Sequence, residues 1–239
     1  MNRFIAFFFL FLVCSSGLAQ RQKPMNYKKF DRKLIHFGSL LGFNTADFVT
    51  IPVNDAFEKY GVTSIENSSQ PGGQIGIMTT MKLGTPMLRL RFVPSISFQE
   101  RVLKYYTLST DPSKLTDDFN EERINSTNID FPLLLQYRTS RFNNFASYVI
   151  GGVQYTLDMQ SSEDSNQSLI DPFVKIKKFD WQGQVGVGVE FFAVYFKFGM
   201  EIKYSHGFNN VLIKDFTPVS DPLEQLKNKV WTFSLIFEG

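Results

Sequence analysis

The chain has 239 residues, a formal net charge of +2, 20% charged residues and 15% aromatics, among them 26 Phe. That length serves one large domain or two small ones, and the even charge, with no basic block and no acidic tail, argues against a nucleic-acid-binding or disordered acidic arm. So many rings imply apolar surface on more than one side of the fold.

The chain opens on a segment that reads as a cleaved secretory signal over residues 1–19. Arg3 is its positive start, "FIAFFFLFLV" its apolar stretch, and Gly17 and Ala19 its small residues, with cleavage expected after Ala19. The apolar stretch is too short to span a bilayer. Cys14, the one cysteine, lies inside it, and Val13 suits a lipidation signal poorly. The mature chain then has no cysteine for disulfides, thiolate catalysis or metal binding. No other apolar run approaches the roughly 18 residues of a membrane helix. If the mature chain enters a membrane, it does so as a closed β-barrel, because only helices and closed barrels satisfy every backbone group in lipid.

Period-two patterning then recurs along the chain, as in strands whose side chains alternate between two faces. Ile35, Phe37, Leu41 and Phe43 oppose His36, Gly38, Gly42 and Asn44. Ile75, Ile77, Met81 and Leu83 oppose Gln74, Thr80 and Lys82. Leu88, Leu90, Phe92, Pro94, Ile96 and Phe98 oppose Arg89, Arg91, Ser95, Ser97, Gln99 and Arg101. Ile129, Phe131, Leu133, Leu135 and Tyr137 oppose Asn128, Asp130, Gln136 and Arg138. Val149, Val153, Tyr155 and Leu157 oppose Gln154, Thr156 and Asp158, with Ile150 an exception. Trp181 to Phe191 alternates with Gln182 to Glu190, and after a turn at Phe192–Ala193 the run Val194 to Tyr204 alternates with Tyr195 to Ser205. Trp231, Phe233, Leu235 and Phe237 close the chain against Thr232, Ser234 and Glu238.

These runs predict an all-β protein, an antiparallel up-and-down transmembrane barrel of about eight strands, each about nine to thirteen residues long. Connections alternate in length. Short turns fall at Gly84–Pro86, Thr139–Asn144 and Phe192–Ala193; long loops fall at Thr45–Pro71, Tyr106–Asn125, Gln160–Lys177 and Gly207–Asn228. Long loops therefore share one end, the extracellular end of an outer-membrane barrel, and short turns the periplasmic end. Residues 20–32 are then a short periplasmic segment and 33–239 the barrel. The alternative is a soluble, lipocalin-like barrel with its apolar face inside. An eight-stranded interior is too narrow for that many rings, whereas small and charged residues fill a narrow polar lumen.

Four features are candidates for function. The G-x-x-G-x-G run at Gly183, Gly186 and Gly188 has phosphate-loop spacing, but a strand rather than a helix follows it. Gly186 and Gly188, with Gly199, read instead as small positions on a crowded lumen face. The two histidines, His36 and His206, lack the spacing of a zinc site. Ser205-His206 is a weak catalytic pair, because strand neighbours face opposite ways. The charged face is the third: Arg89, Arg91, Arg101, Arg138 and Lys197 are placed to pair with Asp130, Asp158, Glu190 and Glu201 as a plug of salt bridges closing the lumen. The fourth is the pair of polar loops "TDPSKLTDDFNEERINST" and "QSSEDSNQSLIDPF", as partner-binding surfaces. No catalytic set, metal site or cofactor is expected.

Four stretches in order carry a family resemblance: "HFGSLLGFNTADF" from His36, "LRLRFVPSISFQERVLKY" from Leu88, "IDFPLLLQYRTSRFNN" from Ile129, and "GVGVEFFAVYFKFGMEIKYSHGFNN" from Gly186. Together they resemble the PorT family of Bacteroidetes. The resemblance implies a non-enzymatic outer-membrane barrel required for the type IX secretion system, which exports proteins with C-terminal sorting domains, and for surface motility in gliding members. Its partners would be outer-membrane lipid and other secretion or translocon proteins, with no nucleic acid and no small-molecule substrate. The resemblance supplies no binding residues. Two other readings remain: a generic small outer-membrane barrel that binds ligands, adheres or anchors the envelope, and a lipid-modifying enzyme.

Overall fold

The computed structural model describes residues 25–27, 30–107, 118–163 and 173–239. The expected signal and the loop stretches 108–117 and 164–172 lie outside the described residues. A tight turn at Phe30–Arg32 precedes β1 (Ile35–Pro52), the short helix α1 (Ala56–Tyr60) and β2 (Val62–Lys82). There follow β3 (Leu88–Phe92), β4 (Ser95–Thr107), β5 (Asp118–Arg138), β6 (Phe145–Asp158), β7 (Lys175–Ile176), β8 (Phe179–Phe192), β9 (Lys197–Gly207), β10 (Leu212–Ile213) and β11 (Leu223–Glu238).

Nine of these strands make one antiparallel sheet, and β1 pairs with both β2 and β11, so the sheet closes on itself. Because β3 and β4 share one place between β2 and β5, the ring has eight positions. Pro94, which has no N–H to give a ladder, causes that break. The ladder survives around it: the Pro94 carbonyl accepts from Ile77 N at 3.1 Å and Val93 N donates to the Pro132 carbonyl at 3.3 Å.

The alternation decides which face is which. Phe37, Ile77 and Val185 point outward at 66%, 68% and 59% exposure, while Arg89, Arg91 and Glu201 point inward at 1% each. A soluble barrel would place these sets the other way round. Two aromatic rings bound the outer apolar band. At the long-loop end, Tyr155 packs on Trp181 at 5.1 Å and Tyr204 on Trp231 at 4.9 Å. At the short-turn end, Phe145 packs on Phe191 at 5.3 Å and Phe198 on Phe237 at 5.2 Å. On β8 the rings are Trp181 and Phe191, a separation of about 25 Å for a strand rising about 3.3 Å per residue and tilted about 40°. That matches the hydrocarbon thickness an outer-membrane barrel spans.

The strands are longer than the alternation predicts: β2 and β5 have 21 residues each, β1 has 18 and β11 has 16. The expected loop at Thr45–Pro71 is mostly strand, and so is the second half of "TDPSKLTDDFNEERINST". Beyond the upper aromatic ring the two faces exchange character. On β5 the outward residues change from Phe131 and Ile129 to Asn125, Arg123 and Glu121, while inward Ile124 is buried. On β11 they change from Trp231 to Lys229 and Lys227, while inward Leu226 is buried. Above the lipid, water wets the outside, and the inside becomes the apolar one. The segment of β11, β1, β2, β4 and β5 therefore rises as a tall wall, whereas β6, β8 and β9 stop near the ring. The pair of β7 and β10 fills the low side: Val174, Ile176, Val211 and Leu212 pack on Phe48, Leu103, Tyr105, Ile124 and Leu226 in one apolar cap.

A smaller correction concerns the turn after β8. It spans Ala193 to Phe196, closed by Ala193 N donating to the Phe196 carbonyl at 2.9 Å, and β9 begins only at Lys197. Tyr195, expected on the lumen face, projects from that turn at 84% exposure. Ile150, the odd apolar residue on the polar face of β6, does point inward, against Leu134 and Tyr148.

Candidate functional site

The lumen is the candidate site. Strand periodicity sends every second side chain into a ring too narrow for water to fill, so each inward polar group must find a partner across the barrel. All nine expected charged positions lie inside and buried: Arg89, Arg91, Arg101, Asp130, Arg138, Asp158, Glu190, Lys197 and Glu201. Lys203, Asp180 and Glu238 join them, so the buried charges among the described residues are six cations and six carboxylates. Neutrality is what an interior of low dielectric demands.

These charges fall in layers. Nearest the short turns, the Lys197 ammonium lies 2.8 Å from Glu190 and 2.5 Å from Glu238, and Arg138 reaches Glu190 at 3.4 Å. One layer up, Arg91 meets Glu201 at 2.5 Å and donates to Gln136 at 3.0 Å. Glu201 also accepts from the Tyr148 hydroxyl at 2.7 Å, with Lys203 at 3.6 Å. Higher still, Asp130 has no cation within ion-pair distance among the described residues. It accepts instead from Ser97, Gln154 and Thr156, each at 2.8 Å. Arg101 likewise has no carboxylate within 4.0 Å among the described residues; it donates to Ser126 at 3.1 Å and to Gln99, and lies 4.9 Å above the Phe48 ring. Asp158 accepts from Gln160 N at 2.9 Å at the top of β6; it lines the same small cavity as Arg101 but has no cation within ion-pair distance among the described residues. The proposed plug thus rests on direct ion pairs in its lower half, whereas in its upper half the charges of Arg101 and Asp130 are held by amides and hydroxyls. Two polar cavities within it, lined by described residues, measure about 10 Å³ each, no more than about one water.

The glycines line the same shaft. Gly186 faces Ile150 and Lys203, and Gly188 lies against the Tyr148 ring. Gly199 is looser, with Ile236 the nearest neighbour at 3.4 Å from where a Cβ would stand. Neither a turn nor a helix N-terminus adjoins the G-x-x-G-x-G run. Ser205 and His206 do not meet: Ser205 is buried in the lumen and accepts from Gln184 at 2.9 Å, while His206 stacks on Tyr204 at 6.3 Å on the other face. His36 lies at the opposite end of the barrel, stacked 3.7 Å from Phe30. No group of three His, Cys, Asp or Glu among the described residues is arranged to hold a metal ion.

The periodicity gives no sign of what closes the short-turn mouth. Phe30, completely buried, enters from below and packs on His36 and on Phe192, 5.7 Å away. Asp31 beside it takes Arg138 at 2.8 Å, Arg141 at 3.4 Å and Arg89 at 3.6 Å. Burial raises the Asp31 pKa, but the three guanidiniums outweigh it and hold the carboxyl below its ordinary range. With the mouth stoppered, the shaft filled and the far end capped, single-channel recordings on the reconstituted barrel should show no steady conductance; a stable open pore would contradict this structure.

A family model described as "Outer membrane protein beta-barrel domain" matches residues 18–212. The chain belongs to that family, and its place is the outer membrane. No curated protein matches it. OprG from Pseudomonas aeruginosa is similar in structure, at 16% identity over 85% of this chain and 92% of that one, with a TM-score of 0.46. Neisserial surface protein A is similar at 9% identity over 84% and 95%, with a TM-score of 0.40. The outer membrane protease OmpT from Escherichia coli is similar at 12% identity over 85% and 93%, with a TM-score of 0.40.

Proposed function

We propose that this outer-membrane barrel is a closed, non-enzymatic component of the type IX protein secretion machinery, needed for export of proteins with C-terminal sorting domains and, in gliding bacteria, for surface motility. The observation that carries the reading is the run Leu88 to Tyr105, which resembles the PorT family most specifically. In the fold it forms β3 and β4 and supplies Arg89, Arg91 and Arg101 to the lumen. A filled shaft suits a part that assembles or steadies a translocon better than one that conducts its cargo. Separation of Ser205 from His206 supports the non-enzymatic reading. Residues 1–19 act in this proposal as the cleaved export signal, and the partners are other secretion proteins met at the loops or the periplasmic turns.

Clean deletion of the gene should trap sorting-domain cargo in the periplasm, read by surface proteolysis and cell fractionation. Normal surface display would refute the role. The tall polar wall above the lipid supports a second reading, a barrel that adheres or binds at the cell surface. It predicts normal secretion with altered adhesion, so the same strain separates the two.

A further inference from the structure

The short-turn mouth is occupied by a segment of the chain itself. Arg89 is 1% exposed, and Asp31 is its only ion partner among the described residues. Among the described residues its Nε and Nη1 have no hydrogen-bond partner, nor has the Nε of Arg138. Arg141 too has Asp31 as its only ion partner among the described residues, and it also donates to the Asn26 and Asn143 carbonyls and to Asn144 Oδ1. Three guanidiniums thus converge on one carboxylate that no strand carries. Beside them is an aromatic slot, formed by the stacked His36 ring and the edge of Phe192, with the Lys197 ammonium 4.7 Å and the Arg89 guanidinium 5.2 Å from the Phe30 ring. Both occupants are neighbours in sequence, Phe30 and Asp31. The residues that follow them, Arg32 to Ile35, form an exposed stalk. On the other side Asn26 is tied to the rim: its N donates to Asn144 Oδ1 at 2.8 Å, its side-chain amide donates to the Phe192 carbonyl at 3.3 Å, and its carbonyl accepts from Arg141.

From this geometry we infer that the periplasmic mouth is a binding site for a polypeptide segment that presents an aromatic residue followed by a carboxylate on a tight turn, now filled in cis by Phe30–Asp31. The ring takes the slot and makes cation–π contacts. The carboxylate takes the guanidinium cluster through charge-assisted hydrogen bonds. A buried guanidinium without its anion is strongly unfavourable, so a mouth emptied of Asp31 is left with unpaired cations that recruit an anion. Its partner is a segment of a periplasmic protein that displaces the stalk. This site stands on the mouth geometry alone and is independent of the secretion role.

The test uses the full chain in detergent micelles and a fluorescein-labelled peptide of residues 25–34, "MNYKKFDRKL". The double variant Phe30→Ala/Asp31→Ala should bind the peptide saturably by fluorescence anisotropy, and the Asp→Asn peptide about tenfold or more weakly. Wild type, its mouth occupied, should bind the Asp peptide only at the excess needed to displace the stalk, and the Asn peptide not at all. Equal binding of both peptides, or none by a variant that keeps its heat-modifiable mobility, overturns the site. A second variant covers a double variant that fails to fold. In Phe30→Trp the indole should emit as a buried ring, and excess unlabelled peptide should shift its emission to the red as the stalk leaves. An emission that the peptide does not move overturns the proposal.

Discussion

Replacing Glu201 by leucine should destabilise the barrel by about 3–5 kcal/mol, the range for removing one partner of a buried ion pair. The size follows from what would be left behind. Arg91 sits 2.5 Å from Glu201, Lys203 3.6 Å and the Tyr148 hydroxyl 2.7 Å, with both cations and the carboxylate almost completely buried. Gln136 still accepts from Arg91, but an amide does not neutralise a guanidinium. Adding Arg91→Met should recover part of the loss, because an apolar pair of similar volume replaces a buried ion pair at little cost. The remainder belongs to Lys203, which stays without a carboxylate. Urea unfolding of the refolded barrel, followed by gel mobility without boiling, measures all three variants. Arg123→Ala, at an exposed pair with Glu100 and Glu121, should fall within about 1 kcal/mol. A Glu201→Leu barrel as stable as the Arg123 variant would show that water reaches the shaft and screens it.

Much of this architecture is legible in the sequence, for a definite physical reason. Lipid outside and a crowded polar ring inside impose opposite demands on successive residues, so Leu133 and Leu134, or Arg89 and Leu90, sort by parity alone. The wall above the lipid obeys the same period, yet reads as loop. Its outward residues Asn125, Arg123 and Glu121 continue the parity of Phe131 and Ile129, but with the polarity exchanged. A reader who searches for apolar-out alternation stops where the solvent changes from lipid to water, although the hydrogen-bonded ladder runs on to Asp118. The signal that finds such a wall is a reversal of phase at constant period, as at Phe48, Ile124 and Leu226. The stopper leaves no such trace. Phe30 and Asp31 belong to no strand, and three arginines from separate turns and strands recognise them only after the ring has closed. Which carboxylate serves which cation was legible only in part. Parity places Glu190, Glu201 and Asp130 in one lumen, but the stagger of the strands decides that Arg91 finds Glu201, and that Asp130 rests on Ser97, Gln154 and Thr156.

The same crowding makes Gly186 of β8 a position where added bulk is costly. A Cβ on Gly186 would stand 2.6 Å from the Ile202 carbonyl oxygen, 3.0 Å from the Lys203 stem and 3.1 Å from Ile150. The first of these is ladder backbone and cannot swing aside. Gly186→Ala therefore already forces β8 away from β9, and Gly186→Leu must also place its branches in a shaft whose cavities hold no more than about one water. Overpacking of this kind costs about 1–3 kcal/mol and occasionally more. Here the upper part of that range applies, since the strain falls where Arg91, Glu201 and Lys203 need their register. Gly73, on β2, is the control: nothing lies within 4 Å of its would-be Cβ, so Gly73→Ala should fold as wild type does. The expected pattern is graded, with Gly73→Ala unchanged, Gly186→Ala weakened and Gly186→Leu depleted from the folded, heat-modifiable fraction. If Gly186→Leu assembles and resists heat like Gly73→Ala, β8 does not turn that glycine into the shaft, and the packing between β8 and β9 described above is wrong.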